Sequence, residues 1–332
     1  MDNLVKRIEL FAQQHQLFSS GDCIVVGLSG GPDSVFLLRT LTRLREPHQL
    51  TLIATHLDHG WRPESHQDAL FCKKLCDNLG VTFVTHRATA EEFAALPAVH
   101  QGSQEAQGRI IRRRFFAEVQ REFRAATVAL AHHADDQKET FFIRLLRGAG
   151  LTGLAGIRPR EGEFIHPLLC CTKSEILSYL AAHQYTFLTD PTNEEQLFLR
   201  NKIRHQVLPA LRACDARFDR SLLKAMDNLR EADDFIKNVV NKAYEAVVET
   251  GNATHRLAIA KFFQQPVFLQ KRLLLAWLVA GQVPFVPSQA LFDEIIRFLL
   301  QTKSPRHLLY DSFYIVKSRG YATLEKKVNR PT

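Results

Sequence analysis

The chain of 332 residues lacks any apolar run near the length of about 18 residues that a membrane helix needs, so no membrane span is expected. Its first 17 residues also lack the unbroken apolar stretch of a secretory leader, because Asp2, Lys6, Arg7 and Glu9 interrupt them; an amphipathic helix and a cytoplasmic protein are expected. Cysteine is sparse. Cys23, Cys72, Cys76, Cys170, Cys171 and Cys214 form no C-x-x-C pair, which argues against zinc or iron–sulfur ligation, and a chain this long needs no disulfide staples. Repeats and low-complexity tracts are absent as well.

What is present is an ordinary globular composition, 45% hydrophobic and 23% charged, in a chain long enough for two domains. The net charge of +8 matters mostly for its placement. Arg109, Arg112, Arg113, Arg114, Arg121 and Arg124 crowd one stretch, opposed only by Glu118 and Glu122. Such a stretch suits a polyanionic partner, and it equally suits a solvated helix face.

Strand-like runs at 23–28, 50–57, 81–85 and 127–132 alternate with helical patterns at 33–45, 65–79, 103–123 and 135–147. That alternation predicts a Rossmann-like α/β fold, a parallel sheet with helices on both faces and a ligand site beyond the carboxyl ends of its strands. A Gly-rich connection at 147–156 suits either a mobile loop over that site or a static link. The pattern changes near residue 215. Helices at 218–248, 267–280 and 288–301, then strand-like runs at 308–316 and 321–324, predict a smaller, mostly helical C-terminal domain. The expected division is 1–215 and 216–332.

The densest signal is Gly27-Leu28-Ser29-Gly30-Gly31-Pro32-Asp33-Ser34, lying between the first strand and its helix. Gly30 and Gly31 let backbone approach an anion, Pro32 suits a helical first turn, and the helix N-terminus presents free N–H groups. Ser29 and Ser34 add hydroxyls, and Asp33 can hold Mg²⁺. The loop has neither the lysine of G-x-x-x-x-G-K-[ST] nor the spacing of G-x-G-x-x-G, which excludes those two phosphate loops. Five such fixed residues arise by chance on the order of 10⁻⁶ per position, so a phosphate site is preferred to an ordinary capped turn.

Ser-Gly-Gly-x-Asp-Ser resembles the signature of the N-type ATP pyrophosphatases, the PP-loop family. Further stretches narrow the resemblance: His56-Leu57-Asp58-His59-Gly60-Trp61-Arg62, Glu105-x-x-x-Arg109 with Arg112, Arg113 and Phe115, and Ala131-His132-His133-Ala134-Asp135-Asp136-Gln137-Lys138-Glu139-Thr140. Asp190-Pro191-Thr192-Asn193 and Arg200-Asn201-Lys202-Ile203-Arg204 complete the set. Taken in order across about residues 20–215, they resemble the tRNA(Ile)-lysidine synthetase family.

The resemblance implies an AMP-forming carbon–nitrogen ligase using ATP and Mg²⁺. Such an enzyme adenylates the O2 oxygen of the wobble cytidine in a minor isoleucine tRNA with a CAU anticodon. Free L-lysine then displaces AMP, giving lysidine. It implies ATP binding by Ser29, Gly30, Gly31, Pro32, Asp33, Ser34 and His56, with Asp33 reaching Mg²⁺ through ATP. Lysine binding or catalysis would fall to Asp136, Glu139, Arg113 and His133. For Asp136 and Glu139, a helix-capping arrangement stays open beside the lysine role. Arg200, Asn201 and Arg204 are candidates for tRNA contact, or for domain-junction packing; Lys317, Arg319, Lys326 and Lys327 are candidates for phosphate contact, or for plain surface. A homodimer stays open, and a further C-terminal domain found in longer members is not expected here. Two alternatives remain: a cytidine-thiolating relative, which would need cysteine chemistry, and a non-catalytic RNA-binding module.

Overall fold

The structure, a computed structural model, describes residues 2–61, 65–96, 104–189, 199–251, 254–302, 304–310 and 313–326. Arg62, Asp190, Pro191, Thr192, Asn193 and Lys327, and the side chain of Glu105, lie outside the described residues. Two compact units are present, 1–230 and 231–332.

The first unit begins with α1 (Asn3–Gln14), β1 (Cys23–Gly27), α2 (Pro32–Arg45), β2 (Thr51–Asp58), α3 (Ser65–Leu79), β3 (Thr82–Arg87), α4 (Ala90–Ala94) and α5 (Gln104–Glu122). It continues through β4 (Thr127–Ala129), α6 (Ala134–Leu146), α7 (Leu151–Leu154), β5 (Arg160–Glu161), β6 (Phe164–Ile165), α8 (Lys173–Ala182), α9 (Leu199–Lys202) and α10 (Leu208–Cys214) into α11 (Phe218–Val247). The sheet order is β3-β2-β1-β4-β6-β5, parallel except for the β5–β6 pair.

Strand periodicity explains the layers. Ile24 and Val26 enter one apolar core with α1, α2, α3 and α8, while Val25 enters another with Phe115, Phe116 and Val119 of α5. Val35, Phe36, Leu37, Leu38, Leu41 and Leu44 of α2 are fully buried. Each such side chain contributes about 1.5–3 kcal/mol by leaving water. This burial clamps the N-terminus of α2 at the carboxyl edge of the sheet.

Expectation and structure differ in three places, and the structure decides a fourth point that the sequence left open. The strand expected at 127–132 ends at Ala129, because His133 already caps α6. The Gly-rich connection contains α7 and is pinned: Arg144 donates to the carbonyls of Gly153 (2.8 Å) and Gly156 (3.0 Å), and Gln137 exchanges two hydrogen bonds with Ile157. The division falls after Arg230 rather than after residue 215, since Asp219, early in α11, pairs with Lys138 and Arg212 of the first unit.

The remaining difference concerns the second unit, which carries two strands that were not expected beside its helices. It adds β7 (Val248–Gly251), β8 (Thr254–Ala258), α12 (Ile259–Phe263), α13 (Val267–Ala280), α14 (Gln289–Leu300), β9 (Arg306–Tyr310), β10 (Phe313–Ser318) and β11 (Tyr321–Lys326). Its five-stranded sheet runs β7-β8-β11-β10-β9 around a core that includes Trp277, Phe262 and Ile295. β7 and β8 are short strands directly after a charged helix, with little alternation to reveal them. Lys317, a candidate for phosphate contact or for plain surface, donates to the carbonyls of Phe298 (2.8 Å) and Gln301 at the end of α14.

Candidate active site

Beyond β1 the chain turns through Ser29 and Gly30 into α2, whose N-cap is Gly31 and whose first residue is Pro32. The turn holds its own shape. Ser34 Oγ accepts from the Ser29 N–H (3.1 Å) and donates to the Gly31 carbonyl (3.0 Å), and the two serine hydroxyls lie 3.0 Å apart. Gly30 has φ +85°, and its carbonyl accepts from the Leu188 N–H at 2.9 Å. A Cβ there would sit 2.6 Å from Leu188 Cδ1. Gly31 has φ −70°, and a Cβ there would meet nothing closer than Ser29 Oγ at 3.5 Å. Glycine at 30 is thus required by the fold, whereas at 31 it leaves the loop open toward the cleft.

That cleft has a volume of about 1040 Å³ and is lined by Ser29, Gly31, Pro32 and Asp33 on one side. His133, Asp136, Glu139, Lys173 and Arg204 also line it. Most of the expected residues therefore converge. Asp33, at the start of α2, pairs with Lys173 Nζ at 2.6 and 2.7 Å. Lys173 opens α8, where Thr172 and Glu175 form a capping box.

His133 links the two sides. As N-cap of α6 its Nδ1 accepts from the Asp135 N–H at 3.3 Å, so in the neutral ring the proton sits on Nε2. Nε2 lies 3.8 Å from Asp33 and 3.6 Å from Asp136. Asp136 in turn accepts from the His133 N–H at 3.0 Å. The capping arrangement and cleft exposure thus coexist in Asp136.

Glu139 is only 1% exposed and already neutralised. Arg204 grips it with Nε at 2.6 Å and Nη2 at 3.1 Å, and Arg200 Nε lies 3.0 Å away, close but not aligned as a hydrogen bond. The pair with Glu139 raises the Arg204 pKa. Asn201 is buried between these two arginines in sequence, within the packing of α9.

Other expected residues fall elsewhere. His56 is buried, with Nδ1 2.9 Å from the Leu28 carbonyl behind the loop. Arg113 is exposed on α5 with its guanidinium 4.8 Å from the Phe164 ring and does not line the cleft. Arg112 turns toward His59, at 3.2 Å. Arg112 and Arg113 thus turn to different partners. His132 is held neutral, its pKa lowered to about 4 by burial, by His166 and by the cations Arg200 and Arg109.

Sequence reasoning missed Lys173 and the cluster of buried Lys138 with Asp135 and Asp219, all of which also line the cleft. Lys138 is 2% exposed and lies 2.7 Å from Asp135 and 2.9 Å from Asp219. Burial alone would raise the Asp135 pKa, but hydrogen bonds from Lys138 and from the Lys173 N–H hold it below the ordinary carboxylate range. The capping box starting at Thr172 was a readable sign of a helix N-terminus. Nothing local announced that its lysine meets Asp33.

A glycine turn at a parallel-sheet edge, facing carboxylates, has counterparts. A family model described as PP-loop domain matches residues 2–211. A protein named tRNA(Ile)-lysidine synthase from Parabacteroides distasonis is 32% identical over 332 aligned residues, covering 98% of this chain and 72% of that one. The chain belongs to the PP-loop family, in its tRNA(Ile)-lysidine synthase group. The same name is carried by a Geobacillus kaustophilus relative, 35% identical, covering 86% of this PP-loop chain and 62% of its own length. A Bacillus cereus relative is 33% identical and covered to 65%. This chain thus spans less than two thirds of several relatives it matches. Among solved structures, the U34-tRNA thiolase NcsA from Methanococcus maripaludis, with its [4Fe-4S] cluster, matches with a TM-score of 0.56 at 18% identity. It covers 69% of this chain and 79% of the other, a likeness of fold.

Proposed function

We propose that this PP-loop chain uses ATP to ligate free L-lysine to carbon 2 of the wobble cytidine of a CAU-anticodon isoleucine tRNA, forming lysidine. The observation that carries this reading is one cleft in which the Ser29–Ser34 turn faces Asp136. In the first step cytidine O2 attacks the α-phosphate of ATP and pyrophosphate leaves. In the second, the lysine ε-amine attacks C2, the C2–O2 bond breaks, and AMP departs with that oxygen; the amine loses its proton.

The loop amides and the Lys173 ammonium would stabilise charge developing on pyrophosphate. Asp33 fits Mg²⁺, since that ion typically takes one or two carboxylates alongside substrate phosphates, and it would neutralise phosphate charge. Asp136 is the carboxylate proposed to receive the lysine ammonium, because the two guanidiniums at Glu139 already satisfy that group. Deprotonating an amine of pKa near 10.4 at pH 7 costs roughly 4–5 kcal/mol. Orientation of amine and adenylate can contribute about 7–11 kcal/mol, which covers it. A cytoplasmic setting with tRNA and ATP belongs to the same reading.

Cys72 and Cys76 lend no support to a cytidine-thiolating activity. Cys72 and Cys76 are buried in the α3 side of the core, and burial pushes the Cys76 thiol up to about 12 and Cys72 higher still. The test is to incubate the chain with ATP, Mg²⁺ and labelled lysine, together with isoleucine and methionine CAU transcripts. Lysine should enter the isoleucine transcript alone, with AMP and pyrophosphate released. Incorporation into neither, or ATP cleaved only to ADP, would sink the reading.

A further inference from the structure

Past β2, at the sheet edge that also carries the Ser29–Ser34 turn, the chain sets two flat rings in parallel. His59 and Trp61 stack with centroids 4.3 Å apart and planes 13° from parallel. Trp61 nevertheless keeps 43% of its surface exposed, an uncommon state for so large an apolar side chain. Arg112 donates to His59 Nε2 at 3.2 Å, and burial together with Arg112 lowers the His59 pKa to about 4, keeping the ring neutral.

The helix beneath is adapted to this ring. Gly108 sits inside α5, where glycine is unfavourable, with an ordinary backbone. A Cβ there would lie 2.7 Å from Trp61 Cη2 and 3.0 Å from His59 Cε1. The glycine is therefore explained by the ring laid across it.

We propose that Trp61, backed by His59 and flanked by Arg112, is a platform on which an unpaired base of the RNA substrate stacks. Exposed rings beside guanidinium groups are how proteins hold splayed-out nucleotides. RNA is favoured over the adenine of ATP by charge. Arg109, Arg112, Arg113 and Arg114 are all exposed on the same helix, a density suited to a polyanionic backbone, while a triphosphate is provided for at the Ser29–Ser34 turn. The proposal rests on the tRNA reading above and adds where the unpaired loop is gripped.

Tryptophan fluorescence tests it directly. The chain has two tryptophans, and Trp277 is fully buried in the second unit, so a quench by bound RNA reports Trp61. Titration with the CAU anticodon stem-loop should quench emission, and a fully paired duplex of equal length should not. Trp61→Phe should keep stem-loop affinity, whereas Trp61→Ala should lower it by about tenfold or more. Gly108→Ala should do the same by displacing the ring while improving helix propensity, and thermal melting checks that both variants stay folded. Binding of the stem-loop in a filter assay without quenching, equal quenching by duplex or by ATP alone, or unchanged affinity in Trp61→Ala each overturns the platform. Absence of any RNA binding overturns the platform and the tRNA reading together.

Discussion

Two adjacent glycines with different reasons to exist separate folding from ligand binding. Gly30 occupies the left-handed region, where a side chain costs about 1–2 kcal/mol, and its Cβ would press on Leu188. Gly30→Ala should therefore lower the melting temperature. Gly31→Ala should leave stability within about 0.5 kcal/mol but weaken ATP binding, because the only thing a methyl there obstructs is a ligand. Calorimetric titration with ATP beside thermal melting distinguishes them, and a stable Gly30→Ala would refute the packing argument. The two carboxylates of α6 divide in the same manner. Asp136→Asn keeps an acceptor for the His133 N–H, so it should raise KM for lysine at near-normal stability. Glu139→Gln leaves Arg204 and Arg200 without their counter-charge, and should cost about 1–3 kcal/mol, reduced from a fully buried pair because Arg204 is 40% exposed. Urea unfolding and steady-state kinetics on both variants check the contrast.

Helix α6 concentrates the polar engineering of the first unit. Its first turns present Asp136 to the cleft and set Lys138, 2% exposed, between Asp135 and Asp219, which line the same cleft. For both acids burial works against ionisation, but hydrogen bonds outweigh it, from Lys138 and the Lys173 N–H for Asp135, and from Arg212 and Lys138 for Asp219. With folded pKa values below the unfolded ones, their stabilisation is present above about pH 4 and is lost as pH falls through the folded values. Lys138→Met should thus cost about 1–3 kcal/mol near pH 7, reduced from a fully buried pair because Asp219 is 40% exposed, and the penalty should shrink as pH falls below about 4. Urea unfolding at the two pH values measures this; an equal loss at both would mean that packing rather than charge holds Lys138. The strands β1 to β3 and helices α2, α3, α5 and α6 were legible in the chain because apolar periodicity covers whole elements. β5 and β6 were not, being two residues each, and β7 and β8 were obscured by the charged helix before them. The loop residues were legible as a local run, whereas Lys173 meets Asp33 across 140 positions and left no local trace.

On the scale of the whole molecule the charge of +8 has a measurable consequence. If tRNA is held through even three phosphates, its affinity should fall roughly tenfold or more between about 50 and about 200 mM salt. ATP should respond less, and filter binding across that range measures the difference. A flat response would argue that the basic face of α5 is only solvated surface. By itself the sequence determined the parallel α/β layering and the Ser29–Ser34 turn, because both depend on neighbours within a few residues: periodic burial, a glycine turn, a proline at a helix start. Only the tertiary structure decided that Glu139 is spent on Arg200 and Arg204, that Arg113 turns to Phe164, and that Trp61 lies across Gly108. Those outcomes depend on which distant side chains arrive first at a buried charge or a flat surface, and pairwise partners at long separation leave no periodic signature in the chain.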